Sequence, residues 1–225
     1  MNRRLFLSFA SLAGLLVPSF RRPLAGAPVS GHASTGLLYD EIFLDHWLEP
    51  GHPESPQRLR AVHSALLQAQ LLENVLLPGD GPDAHDWITT VHTSNHVDSI
   101  RRHYPQAHTV TSQVVSGVLR AVSGVCNGEF RNAFCATRPP GHHAENTGRE
   151  EGFCFYNSVA IAARYAQRQF DLERILIVDW DYHHGNGTES AFYTDPGVLF
   201  FSTHDLYAYP GTGHPEKTGA GAGEG

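Results

Sequence analysis

The fold is decided by the stretch RILIVDWDYHHGNG, residues 174–187. Its first part, residues 175–178, is a run of four apolar residues, three of them β-branched. Such a run is typical of a strand that is buried on both faces, as in a parallel sheet covered by helices. Gly185 and Gly187 then permit the chain to turn. The stretch therefore predicts a parallel strand of an α/β fold that ends in a loop.

Four side chains that can bind a metal follow this strand: Asp179, Asp181, His183 and His184. On an extended segment, side chains two residues apart point the same way, so Asp181 and His183 are expected to converge. One oxygen and one nitrogen donor form a ligand pair for a divalent metal, most simply zinc, although iron or cobalt could use the same donors. Open α/β sheets place their sites beyond the carboxyl ends of their strands, which fits this position. The alternative is that the aspartates cap the next element and that the histidines are ordinary loop residues.

A second cluster follows another short apolar segment, residues 132–137, which predicts a further strand. The segment leads into RPPGHHAE, residues 138–145, where two prolines and a glycine restrict the backbone to an irregular turn. His142 and His143 emerge from this turn. Because adjacent side chains on an extended backbone diverge, we expect these histidines to transfer protons and not to share one metal in the same manner. Two such clusters, each after a predicted buried strand, favour a catalytic site.

The rest of the chain alternates predicted strands and helices. A short strand is expected at residues 36–40, and apolar residues with helical spacing predict helices at 57–72, 86–104, 111–128 and from about 157 to 169. Pro105 is expected to end the second helix, and Ser112 to cap the third. Before the last helix, Gly152 permits close approach of the backbone and Phe153 supplies an apolar wall.

His92 and His96 stand four residues apart in the second predicted helix and would share one face of it. Such a pair can bind zinc, but the glutamate of an H-E-x-x-H motif is replaced by Thr93. We therefore interpret both as surface or packing histidines.

The composition is that of an ordinary globular protein. The chain has 225 residues, enough for one sizeable core, and 41% of them are hydrophobic. Its formal net charge of −7 argues against nucleic acid as the main partner and would tolerate a cationic substrate. Cys126, Cys135 and Cys154 show no C-x-x-C spacing, so we expect small buried thiols and no disulfide framework.

Residues 1–27 have the three parts of a signal peptide. Basic residues come first, an apolar run occupies residues 9–17, and small residues at 25–27 offer a cleavage site. The apolar run is well short of the ~20 residues that a spanning helix needs. Arg3 and Arg4 resemble a twin-arginine export signal, with a general secretory signal or an uncleaved anchor as alternatives. We expect a bacterial protein exported to the periplasm, with residues 28–225 as its mature domain and no stable membrane span after cleavage.

Four segments resemble the histone deacetylase family, in the branch that also holds acetylpolyamine amidohydrolases and bacterial deacetylase-like amidohydrolases. They are RPPGHHA (138–144), GFCFYN (152–157), VDWDYHHGNGT (178–188) and YPGTG (209–213), in the family's order and at similar spacing. The resemblance covers about residues 36–225. It implies an α/β fold with an arginase/deacetylase-like parallel sheet flanked by helices on both faces. It also implies hydrolysis of an acetyl group from an acetylated amine.

The resemblance assigns the central roles of the site. Asp181 and His183 would be two of the family's three zinc ligands. His142 and His143 would be its tandem catalytic histidines, with His143 as general base for the water that zinc activates. The substrate would be a small acetylated amine of the polyamine type or an acetyl-lysine peptide.

Supporting roles follow from the same resemblance. Asp179 would orient His142, and Asn186 would be the partner of His143, at a position where some relatives have Asp. An amide stabilises an imidazolium less than a carboxylate does. Further residues are implied by position: Gly152, Phe153 and Tyr209 as walls of the substrate tunnel, and Ser202 and Thr203 in a site for a monovalent cation, such as potassium, below the zinc.

The sequence departs from the family in its later motifs. The family takes a third zinc ligand, an Asp, from a later strand and an oxyanion-stabilising Tyr from a loop later still, and neither motif occurs here. We therefore expect the N-terminal part of a deacetylase domain, with a sheet that is incomplete at its C-terminal side and poor catalysis. A non-catalytic remnant that binds metal or acetylated ligands is the alternative. An arginase-like binuclear manganese site is disfavoured, because it needs more Asp ligands and lacks the Pro-Gly-His-His turn.

Overall fold

The computed structural model describes residues 4–9 and 34–224. Its strands are β1 (Arg4–Phe9), β2 (Thr35–Leu38), β3 (Val75–Leu76), β4 (Asn132–Cys135), β5 (Arg174–Asp179) and β6 (Val198–Ser202). Every pairing between these strands is parallel. They form two three-stranded sheets with the orders β1-β5-β6 and β3-β2-β4.

Helices flank the sheets, which confirms the predicted fold class. They are α1 (Pro56–Gln68), α2 (Ala84–Ile88), α3 (Ser94–His103), α4 (Pro105–Cys126), α5 (Ser158–Phe170) and α6 (Asn186–Phe192). The longest, α4, packs on β2 so closely that a Cβ at Gly117 would stand 2.6 Å from Leu38 Cδ1. A hydrogen bond of 2.7 Å between the Ser123 and Tyr165 hydroxyls joins α4 to α5. No helix in the described part of the chain is both long enough and apolar enough to cross a membrane.

Two of the predicted helices have different bounds in the structure. The helix expected at residues 86–104 is divided into α2 and α3, because Thr93 caps a new helix through its side chain, which accepts the His96 N–H at 3.3 Å. The helix expected to begin near Ser112 begins at Pro105 instead. Proline lacks a backbone N–H and has a fixed φ, and both properties suit the first position of a helix.

A cavity of about 730 Å³ lies between the two sheets. Apolar side chains of α1, β4 and β5 line most of it, among them Leu59, Ala133 and Ile177, and one end reaches His142 and Asp181. No strand among residues 34–224 joins β4 to β5. The described strands therefore form two separate parallel sheets, and the cavity connects the gap between them with His142 and Asp181.

The burial of β5 differs from the prediction. Ile175 and Ile177 are buried, as expected, but Leu176 and Val178 on the other face are only partly buried. The alternating pattern is that of a strand with one fully covered face.

The predicted signal peptide, residues 1–27, lies mostly outside the described residues. Within it the structure describes β1, which pairs with β5 in the register Arg4↔Arg174 to Phe9↔Asp179. Cleavage and export are not tested by this pairing, so the signal peptide stays a prediction.

Candidate active site

The carboxyl end of β5 places the first polar cluster. The chain leaves the extended conformation after Asp179, so strand alternation does not aim Asp181 and His183. Two side-chain turns aim them instead: Asp179 Oδ1 accepts the Asp181 N–H at 3.1 Å, and Asp181 Oδ1 accepts the His183 N–H at 2.8 Å. The two side chains do converge, but the cause is a pair of local turns and not the period of a strand.

The resulting donor pair fits a zinc ion. Asp181 Oδ1 lies 3.3 Å from His183 Nδ1. Two ligands bound to one zinc at ~2.0–2.1 Å with tetrahedral angles stand about 3.3 Å apart. Within residues 34–224 no group of three or more His, Cys, Asp or Glu side chains is arranged to hold a metal. The described residues thus offer two donors of the types that zinc prefers.

His142 is oriented by Asp179. Its Nδ1–H donates to Asp179 Oδ2 at 2.9 Å, and its Nε2 lies 3.9 Å from Asp181 Oδ1. Burial acts to lower the pKa of His142, but the hydrogen bond and charge of Asp179, with the charge of Asp181, outweigh burial and raise this pKa. Gly185 leaves the room that this pair needs, because a Cβ there would stand 2.3 Å from Asp179 Oδ2.

His143 is buried beside His142, with 4.0 Å between the ring centroids. Its Nδ1–H donates to Asn186 Oδ1 at 2.8 Å, which places Asn186 where the resemblance implies. Burial and the neighbouring His142 lower the pKa of His143 to about 4, although Asn186 and Asp181 oppose the shift. His143 is therefore neutral at pH 7, with Nδ1 occupied by Asn186 and Nε2 able to accept a proton.

Gly152 and Tyr209 lie next to the ring of His143, and Phe153 follows Gly152 in the chain. A Cβ on Gly152, which has φ of +50°, would stand 2.3 Å from His143 Cδ2, so only glycine fits this approach. Phe153 has φ of +71° and Tyr209 lies with its ring centroid 4.9 Å from that of His143. Gly152 and Tyr209, two of the three residues predicted as tunnel walls, thus border the ring of His143, whereas Phe153 packs edge-on against His52 with 4.6 Å between the ring centroids.

The loop that carries the tandem histidines begins at a buried ion pair. The Arg138 guanidinium donates to both carboxylate oxygens of Glu54, at 2.9 and 2.7 Å, and to the carbonyls of Phe43 and His46 at 2.7 and 2.6 Å. Both charged side chains are almost fully buried. Sequence reasoning did not identify this pair, since Glu54 is 84 residues from Arg138 and belongs to a loop of no distinctive pattern.

Comparison with known proteins identifies the family of the chain. A model described as "Histone deacetylase domain" matches residues 52–225. The chain belongs to the histone deacetylase family. It is 37% identical over 207 residues to a probable deacetylase of Archaeoglobus fulgidus, covering 85% of this chain and 57% of that protein.

Other members of the histone deacetylase family share less sequence identity with this chain or are longer than it. Human histone deacetylase 9 is 32% identical over 248 residues, which cover 90% of this chain and 24% of the human protein. The crystal structure of the HDA15 HD domain superposes with a TM-score of 0.76 at 30% identity, covering 85% of this chain and 60% of that one. The chain therefore spans little more than half of the archaeal relative and about a quarter of the human one.

The residues predicted for a monovalent-cation site lie under Asp179. Ser202 is opposite Asp179 in the β5–β6 register, and the Thr203 N–H donates to the Asp179 carbonyl at 2.9 Å. Ser202 Oγ is bonded to His204 Nδ1 at 2.8 Å. The two residues thus lie beside Asp179, and the cation site stays a prediction.

His184 is not a third donor beside His183 in this deacetylase relative. Its ring is buried, its Nδ1 is bonded to Thr212 Oγ1 at 2.8 Å, and it packs at 4.6 Å against the ring of His204. Burial lowers the pKa of His184 to about 4, with His204 adding to the shift. His184 therefore fixes the segment that carries Tyr209, a role that its position beside His183 did not reveal.

Proposed function

We propose that this chain carries the metal pair and the proton-transfer residues of a zinc-dependent deacetylase that removes an acetyl group from an acetylated amine. The observation that carries the proposal is the position of Asp181 Oδ1, 3.3 Å from His183 Nδ1 and 3.9 Å from His142 Nε2. One carboxylate oxygen thus borders both the second metal donor and the catalytic histidines. Metal-assisted hydrolysis needs this adjacency, and membership of the histone deacetylase family supports the same reaction class.

The residues divide the chemistry between them. A zinc ion held by Asp181 and His183 would polarise the amide carbonyl and lower the pKa of a water molecule. His143, being neutral, accepts the proton of the attacking water, and Asn186 keeps its ring in the required tautomer. Asp179 favours the cationic form of His142. That cation would supply positive charge to the oxygen that becomes negative when water attacks. The proton then passes from the histidines to the amine nitrogen as the C–N bond breaks.

The proposed substrate is an acetyl-lysine peptide or a small acetylated polyamine. Tyr209 presents an aromatic ring 4.9 Å from that of His143 and Gly152 borders the same ring, and a straight methylene chain that ends in an acetamide suits such a surface. The acidic chain, with a net charge of −7, gives no reason to expect a nucleic-acid partner.

Zinc affinity and turnover of the 225-residue chain are expected to be low. A catalytic zinc has three protein ligands in typical sites, and residues 34–224 supply Asp181 and His183. The alternative function is a metal- or ligand-binding remnant without turnover. The deacetylase and the remnant are distinguished by hydrolysis and not by metal content, because both would keep the Asp181–His183 donor pair.

The experiment measures the zinc held by the chain at equilibrium with excess free zinc, together with hydrolysis of an acetyl-lysine reporter and an acetylated polyamine. Asp181→Ala should abolish zinc retention, whereas His143→Ala should retain zinc and lower any turnover by ~10²–10⁴-fold. Turnover that is equal in the parent chain and in His143→Ala would refute catalysis by this histidine and favour the remnant. Zinc retention that is unchanged in Asp181→Ala would refute the metal pair.

The proposed location is the periplasm, reached through a twin-arginine signal in residues 1–27. Arg3 and Arg4 precede the apolar run of residues 9–17, which supports this route. A fusion of residues 1–27 to a reporter should be exported, and replacement of both arginines by lysine should retain it in the cytoplasm. Export of the lysine variant at an undiminished rate would exclude the twin-arginine route.

A further inference from the structure

His92 and His96 are neither surface residues nor inert packing. Both rings are almost fully buried and are stacked on each other, with 4.8 Å between their centroids. They face residues 145–157, which we call the wall segment because it follows the catalytic histidines and contains Gly152 and Phe153. Every nitrogen of the two rings is bonded to the backbone of this segment.

His92 holds the two ends of the wall segment. Its Nδ1 lies 3.2 Å from the Glu145 carbonyl oxygen, and its Nε2 lies 2.9 Å from the Asn157 backbone nitrogen. A carbonyl can only accept and a backbone N–H can only donate. Nδ1 of His92 therefore carries the proton, and Nε2 does not.

His96 holds the interior of the wall segment with the opposite tautomer. Its Nε2 donates to the Phe155 carbonyl at 2.8 Å, and its Nδ1 accepts the Gly148 N–H at 3.0 Å. Each ring must thus be neutral, because a second ring proton would remove an acceptor from a buried N–H. Two stacked imidazoles of opposite tautomer are required by these four contacts.

Residues adjacent to the two rings bind the same segment. The Thr93 N–H donates to Asn146 Oδ1 at 2.6 Å, and Ser99 Oγ donates to the Gly148 carbonyl at 2.6 Å. Within the wall segment, the Glu145 N–H donates to Glu151 Oε2 at 3.0 Å. The start of α3 therefore determines where the wall segment lies.

The wall segment in turn packs closely against His143. Gly152 leaves His143 no free space on that side, since a Cβ at Gly152 would lie 2.3 Å from His143 Cδ2. At the far end, Asn157 Nδ2 donates to Thr188 Oγ1 of α6 at 2.9 Å, and α6 carries Asn186, the partner of His143. A shift of the wall segment would move the contacts of His143 on two sides.

We propose that His92 and His96 are positioning residues, a pair of neutral rings of opposite tautomer that clamps the wall segment and thereby fixes His143 against Gly152 and Asn186. The benefit of this positioning for catalysis rests on the hydrolase function proposed above. The clamp itself rests only on the contacts of the two histidines with the backbone.

The surroundings keep both rings neutral. Burial lowers the pKa of His92 to about 3, with His96 adding to the shift, and burial also lowers the pKa of His96. The acidic group that opposes this for His96 is Glu151 of the wall segment. From the wall segment Tyr156 packs against both rings, and its hydroxyl is bonded at 2.8 Å to His108 of α4, whose pKa is also lowered by burial.

The first test compares variants that remove the whole clamp with variants that keep half of it. His92→Phe and His96→Phe retain a flat ring without hydrogen bonds, whereas His92→Gln can still accept from Asn157 and His96→Asn can still accept from Gly148. In the zinc-free chain, the Phe variants should raise hydrogen exchange of the Asn157 and Gly148 amides about tenfold or more, with a smaller rise in the amide variants. Amides of Leu119 in α4 and Ile177 in β5 should not change. An equal rise throughout the chain, or none in the wall segment, would overturn the proposal.

The second test observes the rings directly by nitrogen NMR at neutral pH. In the parent chain, the spectra should show an unprotonated Nε2 in His92 and an unprotonated Nδ1 in His96. The Nδ1–H proton of His143 should also be visible, because its hydrogen bond to Asn186 slows its exchange with water. In His92→Phe this proton signal should broaden or shift, and in His92→Gln it should largely recover. Identical tautomers in the two rings, or an unaltered His143 signal in a chain with a loosened wall segment, would refute the positioning role. Neither readout uses hydrolysis, so failure of the proposed deacetylase activity would be seen separately.

Discussion

The Arg138–Glu54 pair is a buried charge interaction at the start of the loop that carries His142 and His143. The guanidinium binds both carboxylate oxygens and two backbone carbonyls, and both side chains are within 4% of complete burial. Glu54→Gln keeps the shape of the side chain but leaves the arginine charge without a counter-charge. We expect it to lower the free energy of unfolding by about 3–5 kcal/mol, measured by urea denaturation.

Glu129→Gln is the matched control for that prediction. Glu129 pairs with Arg120 at 2.6 Å on the surface, with side chains that are 42% and 22% exposed. Removal of its charge should cost less than about 1 kcal/mol, because solvent screens an exposed pair. A cost as small for Glu54→Gln as for Glu129→Gln would contradict the view that burial makes the Arg138 pair essential.

The site residues that could be predicted from the sequence are those whose positions are set by neighbouring residues in the chain. Asp181 and His183 are brought together by turns within residues 179–183, and His142 and His143 lie in the irregular turn that follows β4. Glu54, His92 and His96 act across long intervals of sequence, such as the 65 residues between His92 and Asn157. No local spacing encodes such contacts, so the two clamp histidines were predicted only as surface or packing residues.

Among the secondary-structure elements, the contact of α4 with β2 depends on Gly117. A Cβ at this position would stand 2.6 Å from Leu38 Cδ1, and because Leu38 is completely buried, its side chain or α4 must shift within the core to make room. Gly117→Ala should therefore destabilise the fold by about 1–3 kcal/mol, even though alanine favours a helix over glycine by ~1 kcal/mol. Gly79→Ala, where no atom lies within 4 Å of the added Cβ, should leave the urea midpoint nearly unchanged. A stabilised Gly117→Ala variant would show that α4 can move away from β2.

Elements were predicted well where periodicity was long and poorly where side-chain caps intervene. The spacing of apolar residues located α1, α4 and α5, but the Thr93 side chain created a helix boundary inside the predicted 86–104 helix. Pro105 was recognised as a boundary, yet its role as the first residue of α4 depends on a position that periodicity does not reveal. The order of the strands is harder to predict from the sequence, because strands that pair can be far apart in it, as β1 and β5 are.

At the scale of the whole molecule, buried neutral histidines make stability depend on pH. Burial lowers the pKa of His46 to about 4 and that of His92 to about 3, against 6.5 for an ordinary histidine, and it lowers the pKa of His96 as well. Between pH 6.5 and about 4 the unfolded chain therefore binds protons that the folded chain does not, so the free energy of unfolding rises with pH in this window. It should fall by about 1.4 kcal/mol per pH unit for each of His46 and His92 as the solution is acidified through this window, with a further fall from His96, and should level off above about pH 7.

The contribution of one histidine to this slope can be isolated at His46, which is buried 3.6 Å from Glu54 and lies outside the catalytic cluster. His46→Phe keeps a ring of similar shape but removes the group that takes up a proton on unfolding. Urea titrations at pH values between about 7 and 5 should show a slope lower by about one proton than in the parent chain. His214→Gln, at an exposed position, should retain the parent slope. If His46→Phe also retained it, His46 would have to be protonated in the folded state beside Glu54, and the buried Arg138 would then share its counter-charge with a second cation.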